Sequence, residues 1–378
     1  MKSKTFLMLL VAAGVLAALF FVRYENNRSS QSVELGERLF ADLPVNQVAE
    51  VAVADAEDRV TLVKGDQLWQ VKERDGYPAD FDELRDTVVK LSRLKIGRSF
   101  SGTTESLSRL SLMPPGAADA TGTGKQITLT DGSGKILADV ILGQTRETDD
   151  GATGGQYLKK ADDDTIFLVD GQFRFLKTAP SEWLDNEILD VKAQEVASVA
   201  CSIDGKTEPL YVLARPEKDA AARMTPVPNG RTADPAKIEQ VFDALAPLTI
   251  DDVRSADSPP PAAQSTRARL DYRLYDGRLI SVYPESEKED SYTLRLTVEN
   301  AEGDPSPVAE AEKTPSIEGG ATDGAEAKTP APEPKTADQL DEALRPWIFS
   351  IKKWQYDSFI TQPESLLEEV KKEGEGTS

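Results

Sequence analysis

Val48-Ala-Glu-Val51-Ala-Val53 recurs further along the chain as Val196-Ala-Ser-Val199-Ala-Cys201. The repetition decides the fold, because the residues downstream of each copy repeat as well. After the first, Asp80 leads Leu84, Val88, Leu91, Leu94 and Ile96; after the second, Asp234 leads Ile238, Phe242, Leu245, Leu248 and Ile250. Most steps in each series are three or four residues, so each predicts an amphipathic helix with an aspartate near its N-cap, spanning 80–96 and 234–250. Hairpin signals come next in both copies: Ile127-Thr-Leu-Thr-Asp131-Gly132 and Tyr272-Arg-Leu-Tyr-Asp276-Gly277 place Asp-Gly after alternating apolar residues.

Each copy therefore reads as strand, strand, helix, then a hairpin-rich sheet. In the first copy the opening hairpin is Val48 to Val53 with Val60 to Val63, continued by Leu68-Trp69-Gln70-Val71. A closing tryptophan segment is expected in both: Trp183 with Ile188 and Leu189, and Trp354 with Phe359 and Ile360. Antiparallel strands beside one or two helices make an α+β fold. The pattern predicts two tandem α+β modules, 31–190 and 191–365; one continuous sheet fed by both copies is the alternative.

Ahead of the modules, Phe6 to Val22 is an uncharged apolar run behind Lys2 and Lys4. At 1.5 Å per helical residue it reaches roughly 25 Å, at the short end of what a bilayer core accepts. The best small-residue cleavage position, Ala17, would leave an apolar mature terminus, so residues 1–30 are expected to be a permanent transmembrane anchor with its flank. Lys2 and Lys4 face Arg23 and Arg28 across the run. The short lysine-bearing lead resembles the start of an export signal. It points to a single-pass inner-membrane protein, N-terminus cytoplasmic and bulk extracytoplasmic.

The chain has 378 residues and a formal net charge of -21, from 44 basic and 65 acidic residues. Such a surface repels nucleic acid and anionic headgroups, so nucleic acid is not an expected partner. One cysteine, Cys201, permits no internal disulfide; it stands where the first copy has Val53 and reads as a small core residue. Ala301 to Thr336 holds six prolines and eight acidic residues, with Val308 and Ile317 as its large aliphatics. Burial there cannot offset the cost of ordering the backbone, so 301–336 is expected to be a disordered insertion in the second module. The tail 366–378 is expected to be disordered, and Ser255 to Gln264 to be a surface linker.

Glu73-Arg-Asp-Gly-Tyr-Pro-Ala-Asp80 after the Trp69-Gln-Val71 strand, with Leu84-Arg85 and the helix ending Arg93-Leu-Lys95, resembles the family known as domain of unknown function 4340. Gly155-Gln-Tyr-Leu158, Ser181-Glu-Trp-Leu-Asp185 and Asn186-Glu-Ile-Leu189 are similar to it too, and the resemblance runs over roughly residues 35 to 300. It implies one N-terminal membrane helix and an envelope accessory role beside ABC-transporter subunits like those of gliding motility. The long acidic insertion departs from the compact form of that family.

The chain contains no histidine. Ser-His-Asp and Cys-His dyads, HExxH zinc sites and an imidazole base are therefore excluded. Gly132-Ser-Gly-Lys135 resembles the end of a phosphate loop, but Leu129 and Ile136 replace its first glycine and its magnesium-binding hydroxyl, and a hairpin turn fits better. Ser350-Ile-Lys-Lys353 has the Ser-x-x-Lys spacing without the companion Lys-Thr-Gly. Asp149, Asp150 and Asp162 to Asp164 lack calcium-loop spacing and read as solvated turn acids. Trp69, Trp183, Trp347 and Trp354 read as core anchors, with a glycan or lipid site as the second reading. Asn27-Arg-Ser29 meets the short glycosylation pattern hard against the expected membrane segment.

The expectation is a membrane-anchored, extracytoplasmic, non-catalytic accessory or scaffold protein of an ABC-type transport complex. No catalytic, cofactor or metal residue is assigned. The alternatives are an envelope polymer or lipid binding module, and a histidine-free hydrolase using two carboxylates about 5 to 9.5 Å apart in a cleft.

Overall fold

The computed structural model describes residues 36–116, 121–147, 153–203, 206–257, 268–288, 290–301 and 335–368. The expected anchor, Asp149, Asp150, insertion residues 302–334, linker residues 258–264 and tail residues 369–378 lie outside them. The chain divides into two compact units, one running to Glu73 and over Ala79–Trp183, the other comprising Arg74–Pro78 and everything from Leu184. The division thus falls after Trp183 rather than after 190.

In the first unit the strands are β1 (Val48–Ala54), β2 (Arg59–Lys64), β3 (Trp69–Val71), β5 (Ile96–Ser101), β6 (Lys125–Asp131), β7 (Ile136–Glu147), β8 (Thr153–Lys160) and β9 (Thr165–Val169). Helix α1 (Phe81–Arg93) precedes β5 and α2 (Thr104–Arg109) follows it. The sheet runs β3-β2-β1-β6-β7-β8-β9-β5, and each of these pairings is antiparallel.

The second unit contains β4 (Tyr77–Pro78), β10 (Glu187–Leu189), β11 (Val196–Ile203), β12 (Tyr211–Ala214), β13 (Arg223–Thr225), β14 (Leu248–Thr249), β15 (Asp252–Ser255), β16 (Ala268–Leu274), β17 (Arg278–Lys288), β18 (Ser291–Asn300) and β19 (Trp347–Ile351). Its helices are α3 (Pro235–Phe242), α4 (Ala337–Leu344) and α5 (Lys353–Tyr356). The main sheet runs β13-β12-β11-β16-β17-β18-β19-β15, the order of the first unit strand for strand. The duplication read from short motifs is thus a duplication of topology, and each copy has its own sheet.

The helices form for the reason their spacing gave. Asp80 accepts a hydrogen bond from the Glu83 N–H at 3.1 Å, and Asp234 accepts from Ala236 N–H at 2.9 Å, satisfying donors that the first turn leaves open. All ten apolar residues of the two series are buried, each contributing about 1.5–3 kcal/mol of transfer free energy. The helical spans are shorter than expected: α1 ends at Arg93 and α3 at Phe242, where a 3-10 turn, Asp243–Leu245, takes over. Leu94 and Ile96, like Leu248 and Ile250, have left the helix and pack from the extended segments beyond it.

The closing segments differ from the expected tryptophan pair. The Asp80 N–H donates to the carbonyl of Trp183, and the Asp234 N–H donates to that of Leu366, both at 2.8 Å. Each acceptor ends or nearly ends a 3-10 turn, Pro180–Trp183 or Pro363–Leu366, and each side chain is fully buried. Leu366, not Trp354, is therefore the counterpart of Trp183. Trp354 is 61 % exposed, which corrects its reading as a core anchor. Ile188 and Leu189 do not close the first unit; Leu189 pairs with Leu248 in the second.

Candidate binding faces

Among the described residues, function has three surfaces to work with. The first is a cleft of about 560 Å³ in the first unit, between the entering chain, Glu37–Leu43, and the edge strand β5. Its floor is set by sheet register. Ser99 lies opposite Phe167 and Ser101 opposite Thr165, so all four side chains share the face that lines the cleft. Phe40 forms a wall with Lys160 Nζ 5.7 Å above its ring, and Arg38, Glu37 and Asp42 stand at the entering chain. Asp163 faces it too, but its carboxylate is engaged by the Thr165 N–H and hydroxyl, each at 2.9 Å.

The second surface surrounds the loop after β9. Phe173 is buried beneath Lys90, whose Nζ stands 4.8 Å from the ring, whereas Phe175 is 90 % exposed. Buried Gln156 holds the loop by accepting from the Phe173 N–H at 2.7 Å and donating to the Gly143 carbonyl at 2.8 Å. Thr178 donates to Asp55 at 2.8 Å. Burial alone would raise the Asp55 pKa, but the N–H groups of Asp58 and Glu57 and this hydroxyl outweigh it and hold the carboxyl below its ordinary value.

The third surface is on the second unit, where α5 exposes Trp354 and supplies Tyr356 to a tilted pair with Tyr292, 4.9 Å between centroids. Lys353 lies 5.8 Å above Tyr292 and is bound by Asp357 at 2.6 Å.

The fragments that resembled chemistry have structural roles. Gly132 to Lys135 is the β6–β7 turn, fastened by the Asp131 carboxylate, which accepts from the Ser133 hydroxyl and from the N–H groups of Ser133 and Lys135. The Ser133 hydroxyl, followed by those N–H groups, lowers the Asp131 pKa. Ser350 sits in β19 opposite Thr293 and Asp252, while Lys353 is held by Asp357. Asp163 and Asp164 order their own turn, the latter binding the buried Lys159 at 3.0 Å. Cys201 is buried opposite Leu270, as Val53 is opposite Ile127. Burial pushes its thiol up to about 11, so little thiolate exists near neutral pH. Among the described residues no group of three Cys, Asp or Glu is placed to hold a metal ion.

The clefts themselves were not legible in the sequence. Ser99, Thr165 and Phe167 become one floor only through strand register, and no short motif records it.

Fold and surfaces together define a tandem duplication of one antiparallel α+β module that presents clefts and exposed aromatics. Residues 69–267, more than half of the chain, match the family described as Domain of unknown function (DUF4340), and the chain belongs to it. No curated protein and no solved structure was found to match the chain.

Proposed function

We propose that this chain is a membrane-anchored, extracytoplasmic, non-catalytic scaffold that assembles with the subunits of an ABC-type transport complex. The observation that carries the reading is the apolar run Phe6–Val22 ahead of two polar modules, which would hold all three surfaces at the membrane. The side chains that resembled chemistry are engaged in turns, caps and ion pairs, whereas aromatic groups stand exposed, as at protein-binding surfaces. Among the described residues no helix is long and apolar enough to cross a membrane, so the anchor rests on the sequence.

The test is affinity purification from detergent-solubilised membranes after alkaline carbonate extraction. The expected result is a carbonate-resistant protein that co-elutes with transporter subunits in fixed ratio. A soluble exported form, lacking residues 1 to 24, that fully restores a deletion strain would defeat the reading. Trp354 favours a second one, a module for an envelope polymer, because a wide-open indole face suits the apolar face of a sugar ring. That reading expects Trp354→Ala to abolish retention on immobilised envelope glycan.

A further inference from the structure

The two units share one topology, yet the same place in the fold is filled in one and open in the other. In the second unit, Tyr77 sits edge-on to Trp347 and Phe349, with centroids 5.2 and 6.2 Å away. It arrives on a tight turn in which Asp75 and Gly76 both have positive φ, 54° and 82°, a conformation glycine adopts without strain. At one end of that turn, Arg74 grips Asp252 of the edge strand β15 in a fork, at 2.5 and 2.9 Å. Asp75 accepts from the Ser255 N–H further along the same strand, at 3.4 Å.

Strand register carries this slot onto the first unit residue by residue. β15 pairs with β19 as β5 pairs with β9: Val253 opposite Phe349 and Ser255 opposite Trp347 match Ser99 opposite Phe167 and Ser101 opposite Thr165. Those four first-unit residues are the floor of the 560 Å³ cleft. The cleft is thus the counterpart of the slot that Tyr77 fills. Thr165 stands where the other copy has Trp347, and Ser99 where it has Val253, which leaves the floor lower. At the clamp the charge is reversed, since Asp252 corresponds to Arg98, an exposed residue on β5.

We propose that the cleft beside β5 is a docking slot for a partner protein, from which it takes a tight turn presenting an aromatic side chain and, toward Arg98, a carboxylate. This rests on the scaffold reading above and specifies the chemistry of one contact within it. The occupied slot shows what the shape accepts: a turn lying along the strand edge with a ring dropped onto the sheet. Arg98 in the place of Asp252 at the clamp inverts the sign of the residue it holds, while the cleft lining itself carries Arg38 and Lys160 beside Glu37, Asp42 and Asp163.

The test uses the full-length protein in detergent micelles and two synthetic peptides, acetyl-Glu-Asp-Gly-Tyr-Pro-amide and acetyl-Arg-Asp-Gly-Tyr-Pro-amide. Binding is followed by saturation-transfer NMR on the tyrosine ring. The Glu peptide is expected to bind about threefold tighter or more than the Arg peptide, the ratio a partly exposed ion pair supplies. Arg98→Asp should reverse that preference, and Ser99→Trp, which fills the floor, should abolish binding of both. Arg98 is exposed, so its variant tests the idea even where the filled variant fails to fold. No saturation of either peptide at millimolar concentration would overturn the proposal, as would equal binding that Arg98→Asp leaves unchanged. Either result leaves the co-purification outcome standing, and loss of transporter subunits with the peptide preference intact would count against the scaffold reading alone.

Discussion

The two units solve the same packing problem with different side chains. In both, the segment that follows β9 or β19 has main-chain carbonyls that need donors. In the first unit Trp183 Nε1 donates to the Lys177 carbonyl at 3.1 Å and Lys125 Nζ to that of Leu176 at 2.5 Å. In the second, Tyr211 donates its hydroxyl to the Ile360 carbonyl, and the Cys201 thiol to that of Thr361 at 3.7 Å. Counting back from the two 3-10 turns, Lys177 and Ile360 occupy the same position. Topology and backbone demand are shared, while the donor comes from a different element. A duplicated fold thus fixes where polar atoms must be satisfied and leaves open which side chain does it.

The comparison breaks most easily at the closing turns. Trp183→Ala should cost about 3–5 kcal/mol, and Leu366→Ala about 2–5, because both side chains are fully buried and neither site has an obvious way to collapse. Chemical denaturation followed by far-UV circular dichroism would read both; a near-neutral Leu366→Ala would end its equivalence to Trp183. Next in size is the clamp on β15. Arg74→Ala removes a forked, charge-assisted contact to Asp252 and should cost about 1.5–3 kcal/mol. Asp252→Ala should cost a similar amount, and the double variant should cost less than the sum. Additive losses would show that the pair does not act as one.

The helix caps sharpen the comparison at a smaller scale. Asp80→Ala and Asp234→Ala should each destabilise by about 1 kcal/mol, in step with each other, since both carboxylates accept from the first helical turn. Thermal melts of the two variants should shift alike. The smallest effect is at the paired hairpin turns. The Asp276 pKa is lowered too: burial opposes this, but the Arg278 side chain and its N–H prevail. Asp131 and Asp276 therefore contribute stability that is complete above the ordinary aspartate value near 3.9 and is lost as the pH falls through their lower folded values. Asp276→Asn should flatten the acid limb of a stability-pH profile below about pH 4 and leave the neutral plateau nearly unmoved. An unchanged acid limb would remove Asp276 as a contributor.

The amino-acid sequence by itself determined the α+β class, the duplication, the two capped helices, both Asp-Gly turns and the core role of Cys201, because each is written in local spacing. Residues three or four apart share a helix face, and an aspartate ahead of them meets the open N–H groups wherever the helix packs. Only the tertiary structure decided which residues close each unit, why Trp354 faces outward and where the cleft lies. Trp183 and Leu366 share a role because each carbonyl meets a helix cap distant in sequence, and a tryptophan count is blind to that. Ser99, Ser101, Thr165 and Phe167 make a surface only once β5 and β9 pair in one register, and a shift of one residue would turn every side chain of a strand to the other face.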